Sequence, residues 1–139
     1  MSNNTTRDDD RTQRRFACLL AEDDEVSQEI IAHFIASLGF VDLEIAPDGR
    51  EALGRCMARQ FDLLIFDRAM PFIHGDKLIR HLHASNTVNS ATPTILLSAS
   101  TGAEIVELGA KCAANVTLSK PVNQSEFLAA IRGLLQPPL

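Results

Sequence analysis

The chain has 139 residues, 45% of them hydrophobic, which suits one domain with a single substantial core and leaves little for a second. Its 18 acids outnumber 13 bases for a formal charge of -5, and no basic stripe interleaved with aromatics runs along it, so direct nucleic-acid binding is not expected. Cys18, Cys56 and Cys112 are odd in number and lack metal-ligand spacing, and they read as reduced, buried small hydrophobes.

Residues 1–15, "MSNNTTRDDDRTQRR", hold one methionine among polar and charged residues and are expected to form a mobile tail. The twin arginine before "FACLLA" hints at export. That apolar run ends after about six residues, short of the roughly 7 to 15 of a signal peptide. No segment approaches membrane-spanning length, so a cytoplasmic address and no membrane contact are expected.

From Phe16 onward the pattern alternates. A strand at 16–21 meets the acidic run Glu22-Asp23-Asp24-Glu25. Val26, Ile30, Phe34 and Leu38 then recur every four residues, with Gly39 as the stop signal of a helix. A strand at 41–45 leads to Asp48-Gly49-Arg50-Glu51, a capping-box spacing that starts a helix near residue 49. Strands at 62–66, 94–98 and 115–118 alternate with helices at 75–84, 102–113 and 123–135, the last ending before Pro137-Pro138.

Several strands are apolar at consecutive positions, as expected when both sheet faces are covered. Strict alternation predicts an α/β fold: a doubly wound, five-stranded parallel sheet with right-handed crossovers and five helices, a three-layer sandwich. The expected organisation is a tail at 1–15, one domain at 16–136 and a short C-terminal tail at 137–139. Such sheets bind ligands beyond the carboxyl ends of their strands.

Glu22 and Asp23, Asp67, Ser98, and Ser119-Lys120-Pro121 stand at those ends. Taken singly, the acids read as a solvated turn, Asp67 as a turn cap, Ser98 as a strand-end hydroxyl and Lys120-Pro121 as a plain loop. Taken together they form an acidic pocket with one cation. Three converging carboxylates raise one another's pKa unless a hard cation such as Mg²⁺ joins them, and Lys120 suits a phosphoryl anion.

With these residues in place, the chain resembles the response-regulator receiver domain of two-component signalling, in the style of hybrid-kinase receivers. "LLAEDDEVSQEI" is similar to its acidic first loop and "APDGREAL" to its second-helix start. "DLLIFDRAMPFIHG" resembles its phosphoacceptor strand, "PTILLSAS" its hydroxyl strand and "LSKP" its lysine strand. The resemblance covers residues 16 to 135 and implies the flavodoxin-like strand order 2-1-3-4-5.

It further implies that Asp67 accepts a phosphoryl group from a sensor histidine kinase or a histidine phosphotransfer protein. Asp23, Asp67 and the Ala69 carbonyl would bind Mg²⁺, with Glu22 acting through a water. Ser98 and Lys120 would hold phosphoryl oxygens, and the Lys120-Pro121 peptide would be cis. A monomer or weak dimer that works by docking or relay is expected, because no helix-turn-helix follows residue 135.

The chain departs from the family in places. Thr117 replaces the usual aromatic switch residue, and Arg68 follows the acceptor as a partner contact, a phosphoryl contact or a solvated arginine. Small residues at Ala69 and Ser100 flank the water route and predict a fairly short phosphoryl lifetime. His33, His74, His81 and His83 read as surface or packing residues; His81 and His83 point to different helix faces.

Three other functions compete. A haloacid-dehalogenase-type phosphohydrolase needs a second Asp at position 69, where Ala69 stands. A flavodoxin-like carrier needs a phosphate loop without carboxylates. A receiver-like module that binds partners without phosphorylation would not need all five site groups.

Overall fold

The computed structural model describes residues 14–136; residues 1–13 of the tail expected at 1–15, and the segment at 137–139, lie outside the described residues. Five strands and five helices alternate: β1 (Phe16–Ala21), α1 (Glu25–Ala36), β2 (Val41–Ala46), α2 (Gly49–Ala58), β3 (Leu63–Asp67), α3 (Gly75–Ala84), β4 (Thr94–Ser98), α4 (Gly102–Cys112), β5 (Val116–Ser119) and α5 (Gln124–Leu135). The strands pair in parallel in the order β2-β1-β3-β4-β5, as the resemblance implied.

The side-chain alternation of each strand splits the core in two. Cys18, Leu20, Leu63, Ile65, Ile95 and Leu97 pack beneath α1 and α5 with Ile31, Ile35, Phe127 and Ile131. On the opposite face Leu19, Leu64, Phe66 and Leu96 pack against Ala52, Cys56, Leu78, Ile79 and Leu82 of α2 and α3. Two of the interior strands, β3 and β4, are buried at every residue, which explains their unbroken apolar runs.

Two strands sit one residue later than their apolar runs suggested. Asp62 turns out to precede β3, where its carboxylate accepts a hydrogen bond from the Ala17 amide at 2.8 Å, and Asp67 belongs to the strand. Asn115 likewise precedes β5, its side-chain oxygen accepting from the Thr94 amide at 2.9 Å. In both cases a polar side chain closes the ladder's first step.

In α1 the stripe read from the sequence is only half buried. Ile31 and Ile35 are the buried anchors, while Val26 and Ile30 are 63% and 48% exposed. A helix turns 100° per residue, so a strict four-residue repeat drifts off the core-facing line within two turns. Asp24 caps this helix by accepting from the Ser27 amide, and Asp48 caps α2 by accepting from the Glu51 amide.

Asn89, fully buried, is a fastener that the sequence did not reveal. Its side-chain oxygen accepts from the Phe61 amide and the Thr92 hydroxyl, both at 2.9 Å, and its amide nitrogen donates to the Cys56 and Arg59 carbonyls. It thereby joins the end of α2, the approach to β3 and the loop before β4. Asn89→Ala leaves these groups without partners in a dry site and should cost about 2 kcal/mol, read as a lower midpoint in urea with an unchanged slope.

Burial pushes the thiols of Cys18 and Cys112 up, and that of Cys56 up to about 12, so all three behave as inert core residues. Arg15 bonds Asp42 and the carbonyls of Gly39 and Val41, clasping β2 at the sheet edge. Among the described residues no helix is long and apolar enough to cross a membrane.

Candidate functional site

Parallel pairing brings every strand's carboxyl end to one rim. Asp67 pairs with Leu97 and Ser98 with Ser119, while Ala21 at the end of β1 lies beside Phe66, so the residues just beyond meet above the sheet. Lys120 enters from the end of β5, and the Lys120-Pro121 peptide is cis, as expected.

There the Lys120 ammonium lies 3.1 Å from Glu22 Oε1 and 3.3 Å from Asp67 Oδ1. Glu22 is wholly buried and Asp67 almost so, whereas Asp23 next door is exposed. The chain turns sharply after β1: the Asp24 amide donates to Glu22 Oε2, and Gln28 on α1 donates to the Glu22 carbonyl at 2.6 Å. Gln28 was not singled out from the sequence, since a glutamine in a first helical turn carries no distinguishing pattern.

Burial pushes the Glu22 carboxyl above its ordinary value, and the Asp67 charge adds to this despite the Asp24 amide and Lys120. Burial also pushes Asp67 up, against the opposing pull of Lys120. Burial alone would lower Lys120, but its hydrogen bond to Glu22 and the Asp67 charge hold it above the ordinary lysine value. One cation is shared by a cluster whose electrostatics call for more positive charge.

Oxygens of Glu22, Asp23 and Asp67 lie within 4.8 Å of one another, a hard, oxygen-only donor set suited to a small divalent cation. Ser98 is buried, and its hydroxyl accepts from the Ser100 amide at 3.1 Å. Ser119, placed on the rim by the sequence but given no role there, donates its hydroxyl to the Ser100 carbonyl at 2.8 Å and so fixes the loop after β4.

Arg68 turns away from the acid cluster toward α3, its Nε standing 3.8 Å from Asp76 Oδ1. Thr117 faces α4 at Gly109, where an added Cβ would come within 2.5 Å of its methyl group. The helix therefore packs closely on β5 at this point. Ala69 is exposed on the rim. His33, His74 and His81 are exposed, and His83 bonds the Ser90 carbonyl; none approaches the acid cluster's metal-binding set.

A doubly wound parallel sheet with buried acids, a hydroxyl and a lysine on its carboxyl rim defines a phosphoryl-handling signalling module. The chain belongs to the response regulator receiver domain family, whose model matches residues 18–132. It is 30% identical to transcriptional regulatory protein RprY of Bacteroides fragilis over 85% of this chain and 48% of that protein. It is 32% identical to sensor protein EvgS of Escherichia coli O157:H7 over 78% of this chain and 9% of that one. The chain thus spans half or less of the length of these curated relatives.

The high-resolution structure of chemotaxis response regulator CheY4 of Vibrio cholerae superimposes with a TM-score of 0.78 at 26% identity, covering 87% of this chain and 99% of that one. Receiver domains are signalling modules rather than classical enzymes. The phosphohydrolase and flavin-carrier alternatives are not favoured.

Proposed function

We infer that Asp67 takes a phosphoryl group from a phosphohistidine of a sensor kinase or a histidine phosphotransfer protein. An Asp67 oxygen attacks phosphorus in line, the phosphorus–nitrogen bond breaks, and the imidazole leaves with the electron pair. The product is an aspartyl phosphate. Lys120, already 3.3 Å from Asp67, follows the incoming charge, and this shared lysine is the observation that carries the reading. Ser98, whose oxygen accepts from the Ser100 amide, donates its hydroxyl proton to a phosphoryl oxygen.

Asp23, Asp67, the Ala69 carbonyl and, through a water, Glu22 would hold Mg²⁺. The bound ion neutralises charge on the transferring group. The domain catalyses only its own phosphorylation and dephosphorylation, and a cytoplasmic address and a monomeric or weakly dimeric state belong to the same reading.

The partner must bring its imidazole to this rim. Exposed Val26 and Ile30 adjoin a shallow cavity of about 120 Å³ lined by Ser27, Ile30, Ile31, Lys120, Pro121 and Val122, immediately beside the acids. This apolar flank favours docking by a helical surface over α1.

The test is an intact-mass measurement after incubation with acetyl phosphate. A single-phosphate gain that disappears when Mg²⁺ is chelated supports the reading; a protein that binds Mg²⁺ and yet gains no phosphate refutes it in favour of a phosphorylation-independent binding module.

Metal binding also carries a pH signature. Glu22 and Asp67 have raised values in the folded, metal-free chain, so folding retains protons that the unfolded chain has released. Their stabilising contribution is full below the ordinary carboxylate range and is lost as pH rises through the folded values. Mg²⁺ competes with those protons. At ten times its dissociation constant it should add about 1.4 kcal/mol, or roughly 5 °C in melting temperature, and the increment at fixed Mg²⁺ should be smaller at pH 5 than at pH 8. Equal increments at both pH values would remove these carboxylates from the metal site.

A further inference from the structure

The outer face of α3 runs against the charge of the chain. The helix turns Gly75, Leu78, Ile79 and Leu82 inward. At 100° per residue, Lys77, Arg80, His81 and Ala84 fall on the opposite side, joined by His74 at the N-cap, within an arc of about 120°. All five are exposed. Lys77 and Arg80 carry a full positive charge, the two imidazoles can donate to an anion, and none of the five is acidic. Asp76, the one acid of the helix, is turned off this face toward Arg68.

Among the described residues neither Lys77 nor Arg80 forms an ion pair, whereas Arg14, Arg15, Arg55, Arg59 and Lys120 each do. The acids of the flanking helices are engaged in their own surroundings. On α4, Glu104 accepts the Ser100 hydroxyl at 3.0 Å, and Glu107 shares a polar cavity of about 130 Å³ with Arg68 and Lys111. On α2, Glu51 lies 3.6 Å from Arg55, and Arg50 stacks over the Phe72 ring at 4.2 Å. Exposed acids gather instead in the other layer of the sandwich, at Asp23, Asp24, Glu25 and Glu29 around the start of α1. Lys77 and Arg80, three residues apart, repel one another, a small cost that an opposing carboxylate reverses.

We propose that this face of α3 is a docking surface for an acidic helix of a partner protein, its carboxylates three or four residues apart set against Lys77, Arg80 and His81 and an apolar side chain resting on Ala84. The match is one of spacing as well as sign, since both helices present side chains at the same intervals. The sheet separates α3 from α1, so this partner sits clear of the apolar flank beside Lys120. Two full charges without a stacking aromatic are too few to hold a nucleic acid, which the chain's charge of -5 also repels. A second copy would have to offer the acids of its α1, a head-to-tail contact that builds rings or filaments and no two-fold dimer.

The test titrates the full chain into a labelled amphipathic helical peptide with glutamates at i, i+3 and i+4 and reads fluorescence anisotropy at low salt. Lys77→Glu and Arg80→Glu should each weaken binding about fivefold and keep the parent midpoint in urea, because both side chains are exposed. Arg132→Glu makes the same change of charge on the exposed side of α5, in the other layer, and should stay within about twofold of the parent. A parent chain that ignores the peptide overturns the proposal. So does equal weakening by Arg132→Glu, which would make net charge and not this face the cause, or a short DNA duplex that binds as tightly as the peptide. An oligomer in light scattering that Lys77→Glu disperses assigns the face to a second copy. Tighter peptide binding after Asp8, Asp9 and Asp10 are changed to Asn assigns it to the chain's own acidic run. Either result overturns docking of a separate partner.

Discussion

Asp67→Asn is expected to gain no phosphate from acetyl phosphate at any Mg²⁺ concentration, and yet to melt above the parent chain in metal-free buffer near pH 7. The amide has the size of the carboxylate but lacks its nucleophilic oxygen, so the adduct is lost entirely. The stability gain has a separate origin. Asp67 is buried beside Glu22 and Asp23, and its raised value is the balance after Lys120 has exerted its attraction. At neutral pH the folded chain therefore bears a net penalty for ionising this group, and a neutral amide removes it.

The gain should be a few degrees and should vanish below pH 4, where the parent carboxyl is protonated as well. Lys120→Met should do the opposite, because it leaves Glu22 and Asp67 with no cation within reach. Should Asp67→Asn melt below the parent without metal, the charge balance described for the cluster is wrong.

Gly75→Ala is expected to be strongly destabilising. Gly75 opens α3 directly over the end of β3, and a Cβ there would lie 2.3 Å from the Asp67 carbonyl oxygen and 2.9 Å from its carbon. The obstacle is backbone, which cannot rotate aside. The Gly75 amide also donates to the Arg68 carbonyl at 2.9 Å, so helix and strand end are tied at the point of collision.

Relief requires moving α3 or the acceptor strand, at a cost on the order of 4 kcal/mol. Any protein that still folds should phosphorylate slowly, because Asp67 has shifted against Lys120. Gly54→Ala is the internal comparison. It sits in the middle of α2 with nothing within 4 Å of the added carbon, so it should stabilise by about 0.5 to 1 kcal/mol. Urea denaturation of the two variants beside the parent checks both signs; a neutral Gly75→Ala would mean that the loop at 68–74 is soft.

Much of this molecule was legible without coordinates, and particular residues show why. β3 and β4 announce themselves because a strand covered on both faces must be apolar at every position, and Leu63 to Phe66 and Ile95 to Leu97 are. The helix start at Asp48 follows from capping chemistry that lies within four residues. Once the sheet was inferred to be parallel, Glu22, Asp23, Asp67, Ser98 and Lys120 had to share a rim, because parallel strands end on the same side. The sequence by itself thus determined the fold class, the order of the elements and which of these residues stand together on one rim.

Only the tertiary structure decided how those residues differ from one another. Glu22 and Asp23 are neighbours of the same chemistry, yet one is wholly buried against Lys120 and the other exposed, because the chain turns between them. Val26 and Ile31 were equally apolar on paper, and packing against the sheet chose the second. The Asn89 fastener, the contact of Gly75 with Asp67 and the bond from Ser100 to Glu104 have no periodic signature. The first two join segments brought together only by folding, and the last by a loop whose course no repeat encodes. Periodicity reports which face of an element is apolar; distances between elements arise from how closely their side chains interlock, and that is a property of the assembled core.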